Sequence, residues 1–194
     1  MADSSLAPFL RRALDARRPL RVEEPGRRLA AVAVILVPAP DSVLLIRRAE
    51  RLGDPWSGQV ALPGGGFDPR DVDLLQTAVR ETREEVGLDL PDAECVGALD
   101  DVAPRTPVLP PVTVRPFVFC LPGRPALAPG EEVAHAFWTG LDAFRRPGAL
   151  VSRTIDIRGT PRVIEGYALG EDFVWGLTER ILTPLLDLLP PTPA

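Results

Sequence analysis

The sequence predicts an α+β fold, an α/β/α sandwich in which a mixed β-sheet is flanked by helices. Two observations predict it. Apolar and alternating runs of strand length come first, then one helix, then more strands, then a second helix, which is the order of a layered domain. A hydrophobic content of 45% in 194 residues is enough to fill the core of one such domain. Residues 1–194 therefore read as one unit, with a helix and linker over 1–28.

Residues 5–17 place Leu6, Phe9, Leu10 and Leu14 at helical spacing, with Ser4 or Ser5 as the cap and Pro8 tolerated in the first turn. Residues 19–28 carry prolines and mixed charges and read as a linker. Leu29–Val37 is a continuous apolar run, too short for most helices, and predicts a strand buried on both faces. A turn at 39–42 leads to a second strand, Val43–Arg48, so the two form a hairpin. Glu50–Gln59 is loop, and Val60–Leu62 is a short strand that delivers the chain into Gly64-Gly65-Gly66.

The stretch from Leu62 to Leu88 then reads as a glycine-rich loop followed by a helix closed by Gly87. On that helix Leu75, Val79, Thr82 and Val86 fall on one stripe, and Glu81, Glu84 and Glu85 fall beside it. Like charges at these spacings repel by a few tenths of about a kcal/mol per pair. Either an acidic helix cluster or a glycine triplet, taken alone, is more often a solvated face or a turn. Together they point to a cation among the carboxylates, with room for substrate phosphates: a hard divalent ion, Mg²⁺ or Mn²⁺.

Downstream, Cys95–Leu99 is a short strand, 100–111 a proline-rich loop, Val112–Leu121 a strand despite Pro116, and Val133–Thr139 another strand. Leu141–Arg145 is one helical turn. Val151–Ile157 and Arg162–Tyr167 form a last hairpin around Arg158-Gly159-Thr160, and Phe173–Leu189 is an amphipathic helix kinked or restarted near Pro184.

Composition excludes several chemistries. All 22 basic residues are arginine, so no lysine can serve a P-loop or form a Schiff base. One histidine, His135, excludes multi-histidine metal sites and reads as a core or edge residue of its strand. A net charge of -5 argues against a nucleic-acid partner. No apolar run reaches membrane-spanning length, and no signal-type segment stands near the start, so a cytoplasmic protein with no membrane partner is expected. Cys95 and Cys120 read as packed thiols, and Trp138 and Trp175 as core. Trp56 either stacks on a base or anchors its loop.

Arg80-Glu81-x-x-Glu84-Glu85-x-Gly87-Leu88 resembles the tail of the Nudix box, G-x5-E-x7-R-E-U-x-E-E-x-G-U with U apolar, except that Thr82 stands at the first apolar place. The front departs from it. Six positions after Gly66 stands Val72 instead of glutamate; six after Gly65 stands Asp71, provided the segment before Arg80 carries one extra residue. That longer front, Pro63-Gly64-Gly65 with Asp68, Pro69, Asp71, Thr77, Ala78, Arg80 and Glu81, resembles the Nudix branch that cleaves coenzyme A. So does the upstream series Leu44, Leu45, Arg48, Arg51 and Gly58-Gln59-Val60-Ala61-Leu62-Pro63-Gly64-Gly65. Val174-Trp175-Gly176-Leu177-Thr178 is similar to that branch as well.

The resemblance implies a Nudix fold and metal-dependent hydrolysis of coenzyme A to 3′,5′-ADP and 4′-phosphopantetheine. ADP-ribose or NADH is the alternative substrate, and a nucleotide-sensing domain without catalysis the alternative class. It implies Glu81, Glu85 and Glu84 as metal ligands, joined by a carbonyl of Gly65 or Gly66, with Arg80 holding a box glutamate. The base is a box glutamate, Glu84, or a glutamate of a later loop, where Glu131 and Glu132 stand and Glu132 is favoured. With no lysine available, Arg48 and Arg51 are assigned to the substrate phosphates beside Gly64 and Gly65, with Arg47 behind them. The partner is a small molecule, and a homodimer is left open.

Overall fold

The computed structural model describes residues 6–51, 56–91, 94–104, 111–157 and 159–190. Its elements are α1 (Leu6–Asp15), β1 (Arg28–Val37), β2 (Ser42–Arg48), β3 (Val60–Ala61), β4 (Gly64–Gly66), α2 (Leu74–Val86), β5 (Cys95–Ala98), β6 (Val112–Cys120), β7 (Val133–Gly140), α3 (Leu141–Arg145), β8 (Leu150–Ile157), β9 (Thr160–Leu169), β10 (Asp172–Trp175) and α4 (Leu177–Leu188). The Ser4 or Ser5 cap and Arg158 of the last hairpin turn lie outside the described residues.

β1 to β7 form a seven-stranded mixed sheet, and β8 to β10 a small antiparallel one. The strand predicted to be buried on both faces is so, and alternation divides it. Ala31, Ala33, Ile35 and Val37 of β1 join Ala78 and Val86 of α2 in one apolar layer. Val34 and Leu36 join Leu10 and Leu14 of α1 and Leu182 and Leu185 of α4 in the other. The α/β/α sandwich of the sequence reading is thus observed. No helix among the described residues is long and apolar enough to cross a membrane.

The β1–β2 hairpin is paired only at its turn, Leu36 with Val43 and Val37 with Ser42. Below that the strands diverge and residues 60–66 enter the gap. β3 runs antiparallel to β2, the chain reverses at Leu62-Pro63, and β4 runs antiparallel to β1, Gly64 opposite Val32 and Gly66 opposite Ala30. Ala33 N–H donates to the Pro63 carbonyl at 2.8 Å, and Arg48 N–H to Gln59 at 3.0 Å. The glycine triplet, read as a loop, is therefore a strand. An L-residue at Gly64 would put its Cβ 2.3 Å from the Ala31 carbonyl oxygen, at φ +151°.

Pro116 sits inside β6, which is paired on both sides, parallel to β1 and antiparallel to β5. The sheet absorbs it where β5 ends. Leu99 N–H donates to the Pro116 carbonyl at 3.0 Å. The reciprocal bond is missing because proline has no N–H, and Arg21 Nη1 donates to the Leu99 carbonyl in its place at 2.8 Å.

The C-terminal expectation is corrected. Residues 173–175 belong to β10, paired with β9, and the helix starts at Leu177 after Gly176, whose φ of 69° suits glycine. α4 then continues through Pro184. Thr178 Oγ1 donates to the Val60 carbonyl at 3.3 Å, so this helix braces β3 from behind.

Gly64→Ala is expected to destabilise the protein by about 2 kcal/mol or more in urea unfolding. Gly66→Ala, whose Cβ would meet only the tip of Arg28 at 3.9 Å, is expected to stay within about 1 kcal/mol.

Candidate functional site

α2 begins at Asp73, whose side chain accepts the Gln76 N–H at 2.8 Å in the usual N-cap manner. It ends at Gly87 in the left-handed conformation, φ 68°. Its buried stripe is rotated from the predicted one: Thr82 and Val86 are buried as expected, but Leu75 and Val79 are only half-buried, and Thr77, Ala78 and Glu85 are buried in their place. The reason is the glycine strand. β4 has no side chains to hold α2 away, so the small residues of the helix turn towards the sheet and carry Glu85 inward. Thr82, the departure from the expected apolar residue, is fully buried and gives its hydroxyl proton to the Ala78 carbonyl at 2.7 Å, so no polar group is stranded.

Glu85 is 4% exposed. Ladder parity explains its partner: Pro63 and Phe67 bond to β1, so the peptide groups of Gly64 and Gly66 turn the other way, towards α2. Gly64 N–H donates to Glu85 Oε2 at 2.8 Å, and the Gly66 carbonyl accepts from Arg80 Nη2 at 3.1 Å. Of the two carbonyls expected as ligands, Gly66's is thus engaged by Arg80 and Gly65's turns towards β1. Gly65 has another function. A Cβ there would lie 2.4 Å from the Glu81 carboxyl carbon, so glycine makes the cradle in which that carboxylate rests.

Arg80 is the hub of the box. Its Nε and Nη2 grip Asp71 at 2.9 and 3.0 Å, while Nη1 reaches Glu81 at 2.9 Å and Glu84 at 3.2 Å. Asp71 is buried and also accepts from Thr77 Oγ1 at 2.8 Å and Asp68 N–H at 3.1 Å. Such a paired, hydrogen-bonded carboxylate resists protonation: the Arg80 bonds hold Asp71 well below the usual carboxylate range. The acid that the extended front half places at Asp71 is therefore the anchor of the hub.

Glu81, Glu84, Glu85 and Glu132 line one cleft of about 320 Å³. Glu132 arrives by a route the sequence did not reveal. The loop before β7 caps the end of α2: Ala128 N–H donates to the Val86 carbonyl at 2.8 Å and Gly130 N–H to that of Glu85 at 2.9 Å. A Cβ on Gly130 would lie 2.5 Å from the Glu84 carbonyl. The glycine directly before Glu131-Glu132 was the available signal. Arg51 Nη1 meets Glu132 at 2.8 Å, and Arg48 Nη1 stands 3.9 Å from Glu85 Oε1. Arg47 points elsewhere and pairs with Asp172 of β10.

The outlying candidates lie apart from this cleft's lining. His135 is exposed on β7, an edge strand, and stacks on Phe137 with centroids 5.7 Å apart. Trp56, Trp138 and Trp175 are half-buried. Cys120 is buried, and burial pushes its thiol up to about 12, which makes it unreactive.

Burial pushes Glu85 up to about 7, with the charge of Glu81 adding and the Gly64 N–H and Arg48 opposing. Burial raises Glu81 as well, against its bond to Arg80. Among the described residues, no three His, Cys, Asp or Glu side chains are drawn within metal-holding range of one another. The donors nonetheless fit a hard divalent cation: four carboxylates around one cleft, two of them raised by burial that an added positive charge would relieve.

A raised folded-state carboxyl stabilises the fold below its unfolded pKa of 4.5 and loses that contribution as pH rises through about 7. In chelator, the parent protein is expected to lose about 1–3 kcal/mol more than Glu85→Gln between pH 5 and pH 8. Urea unfolding at the two pH values measures it, and equal losses would contradict the buried titration.

A NUDIX domain family model matches residues 26–156. An uncharacterized Schizosaccharomyces pombe protein is 46% identical over 101 residues, 50% of this chain; the match spans 31% of that longer protein. The mitochondrial coenzyme A diphosphatase NUDT8 of Mus musculus is 32% identical over 190 residues, covering 93% of this chain and 86% of the mouse protein. Among solved structures, a MutT/nudix family protein from Enterococcus faecalis superimposes with a TM-score of 0.61 at 22% identity, over 96% of this chain and 71% of that one. With the family model over most of its length and the box assembled between β4 and α2, the chain belongs to the Nudix family of hydrolases, which act on diphosphate bonds.

Proposed function

We propose that this protein hydrolyses the diphosphate bond of coenzyme A or its derivatives, releasing 3′,5′-ADP and 4′-phosphopantetheine. The observation that carries the reading is the meeting of two separate motifs. Arg48, from the upstream series, stands against Glu85, the buried glutamate of the box, and the one-residue-longer front half is accounted for by the Asp71–Arg80 anchor. Both motifs resemble the coenzyme A-cleaving branch, and the mouse relative bears the name of that activity.

In this reading Glu81, Glu84 and Glu85, with the carbonyl of Gly64, hold Mg²⁺ or Mn²⁺. When bound, such an ion neutralises phosphate charge and lowers the pKa of a ligated water. Arg80 sets the carboxylates in place by holding Glu81 and Glu84 from one side and Asp71 from the other. Arg48, deeper in the cleft, and Arg51, at its rim, take the phosphates through guanidinium hydrogen bonds. Glu132 is the base that accepts the proton of the attacking water, with Glu84 as the alternative on the helix side of the same cleft.

With Mg²⁺ or Mn²⁺, coenzyme A is expected to be cleaved faster than ADP-ribose or NADH, and chelation to stop the reaction. Product masses from ¹⁸O-water report which phosphorus is attacked; faster cleavage of ADP-ribose or NADH would sink the substrate assignment. Glu81→Gln and Glu85→Gln are each expected to lower kcat by at least about 100-fold. Undiminished turnover in either variant would refute its place among the metal ligands.

A further inference from the structure

We infer that Arg51 and Glu132 form an exchangeable latch across the mouth of the cleft. In the free protein Arg51 is held by Glu132; when a diphosphate enters, Arg51 transfers to its phosphate and uncovers the Glu132 carboxylate. The inference rests on the proposed function only in needing a nucleoside diphosphate as ligand.

Three observations lead to it. First, the two backbones are docked independently of the ion pair. Ala49 N–H donates to the Glu132 carbonyl at 2.9 Å, and Arg51 N–H to Ser57 Oγ at 2.8 Å. The side chains are therefore brought together by the fold and stay within reach when the pair opens. Second, the pair is a single Nη1–Oε1 contact at 2.8 Å between side chains 46% and 57% exposed. A pair so open to solvent favours the closed form by only about fivefold or less. A phosphate, which offers several acceptor oxygens to the guanidinium fork, outcompetes it. By contrast the Arg80–Asp71 pair has a buried carboxylate and is made by two bonds, so it remains closed.

Third, Glu132 lines the same cleft as Glu81, Glu84 and Glu85. Its charge faces those of Glu81 and Glu85 and repels an arriving diphosphate. Arg51 masks that charge until a ligand claims the guanidinium. The carboxylate is then uncovered more fully when the ligand is present. In this account Arg51 positions Glu132 as well as binding phosphate.

A double-mutant cycle tests the latch, read as binding of α,β-methylene-ADP in Mg²⁺ by calorimetry. Its methylene bridge resists hydrolysis, so binding is separated from turnover. In the parent background Glu132→Gln frees Arg51 and is expected to tighten binding about threefold. Arg51→Ala is expected to weaken it, and in that background Glu132→Gln is expected to bring a clearly smaller tightening, the share due to charge removal alone. If Glu132→Gln tightens binding equally in both backgrounds, the effect is general charge removal and the latch is refuted. Weaker binding on Glu132→Gln, or no binding by the parent, overturns it too. A protein that fails to cleave coenzyme A yet shows the non-additive cycle overturns the substrate assignment and leaves the latch standing.

Discussion

The site depends on a backbone strand with no side chains lying flat against a helix. β4 is three glycines, and its Gly64 N–H reaches the Glu85 carboxylate at 2.8 Å. Any Cβ at Gly64 would collide with the Ala31 backbone, and one at Gly65 would enter the space of the Glu81 carboxylate. Close approach has two consequences. It turns Ala78 and Thr82 to the sheet, and it takes Glu85 out of water. A carboxylate in that position is unfavourable unless something positive joins it, and this is the physical ground for the proposed cation site. The apolar layers matter to function because they hold this contact: β1 and β2 diverge to admit residues 60–66, and α4 supports β3 from the opposite face.

Around that contact the charges are sorted by burial. Asp71 and Arg80 form the closed, multiply bonded centre, and the exposed Glu84 is attached to it through one nitrogen of Arg80. Arg48 stands deeper and Arg51 at the rim, each against a different glutamate. Every cation here is arginine, and the geometry uses that. One guanidinium serves Asp71, Glu81, Glu84 and the Gly66 carbonyl at once, which an ammonium on a flexible stem could not do in fixed directions. The loop before β7 completes the arrangement, since it caps α2 and delivers Glu132 with the same few residues.

Much of this was legible in one dimension because it is periodic or local. The two-faced burial of β1, the αL stop at Gly87 and the adjacency of Glu81, Glu84 and Glu85 on α2 follow from 2.0- and 3.6-residue periods and from glycine's freedom at positive φ. The extra residue of the front half was legible as well, and it was read with Asp71 in the acid's place. Other features were misread for physical reasons. Phe173-Val174-Trp175 continue the apolar pattern of α4, yet a strand partner in β9 and the φ of Gly176 claim them. Gly64–Gly66 read as a loop because nothing local shows that two splayed strands are waiting to pair with that stretch.

By itself, then, the amino-acid sequence determined the layered architecture and the box, and it singled out the residues proposed to hold a cation or a phosphate, because those readings depend on residue type and short-range spacing. The tertiary structure alone decided which glutamate is buried, which glycine peptide groups face α2, and that Arg47 turns to Asp172 while Arg48 turns to Glu85. It alone set Glu132 opposite Arg51, 81 positions away in the chain. These are outcomes of which surfaces pack against one another. Packing at long separation leaves no periodic trace in the chain, because its cause lies in the shape of the assembled sheet.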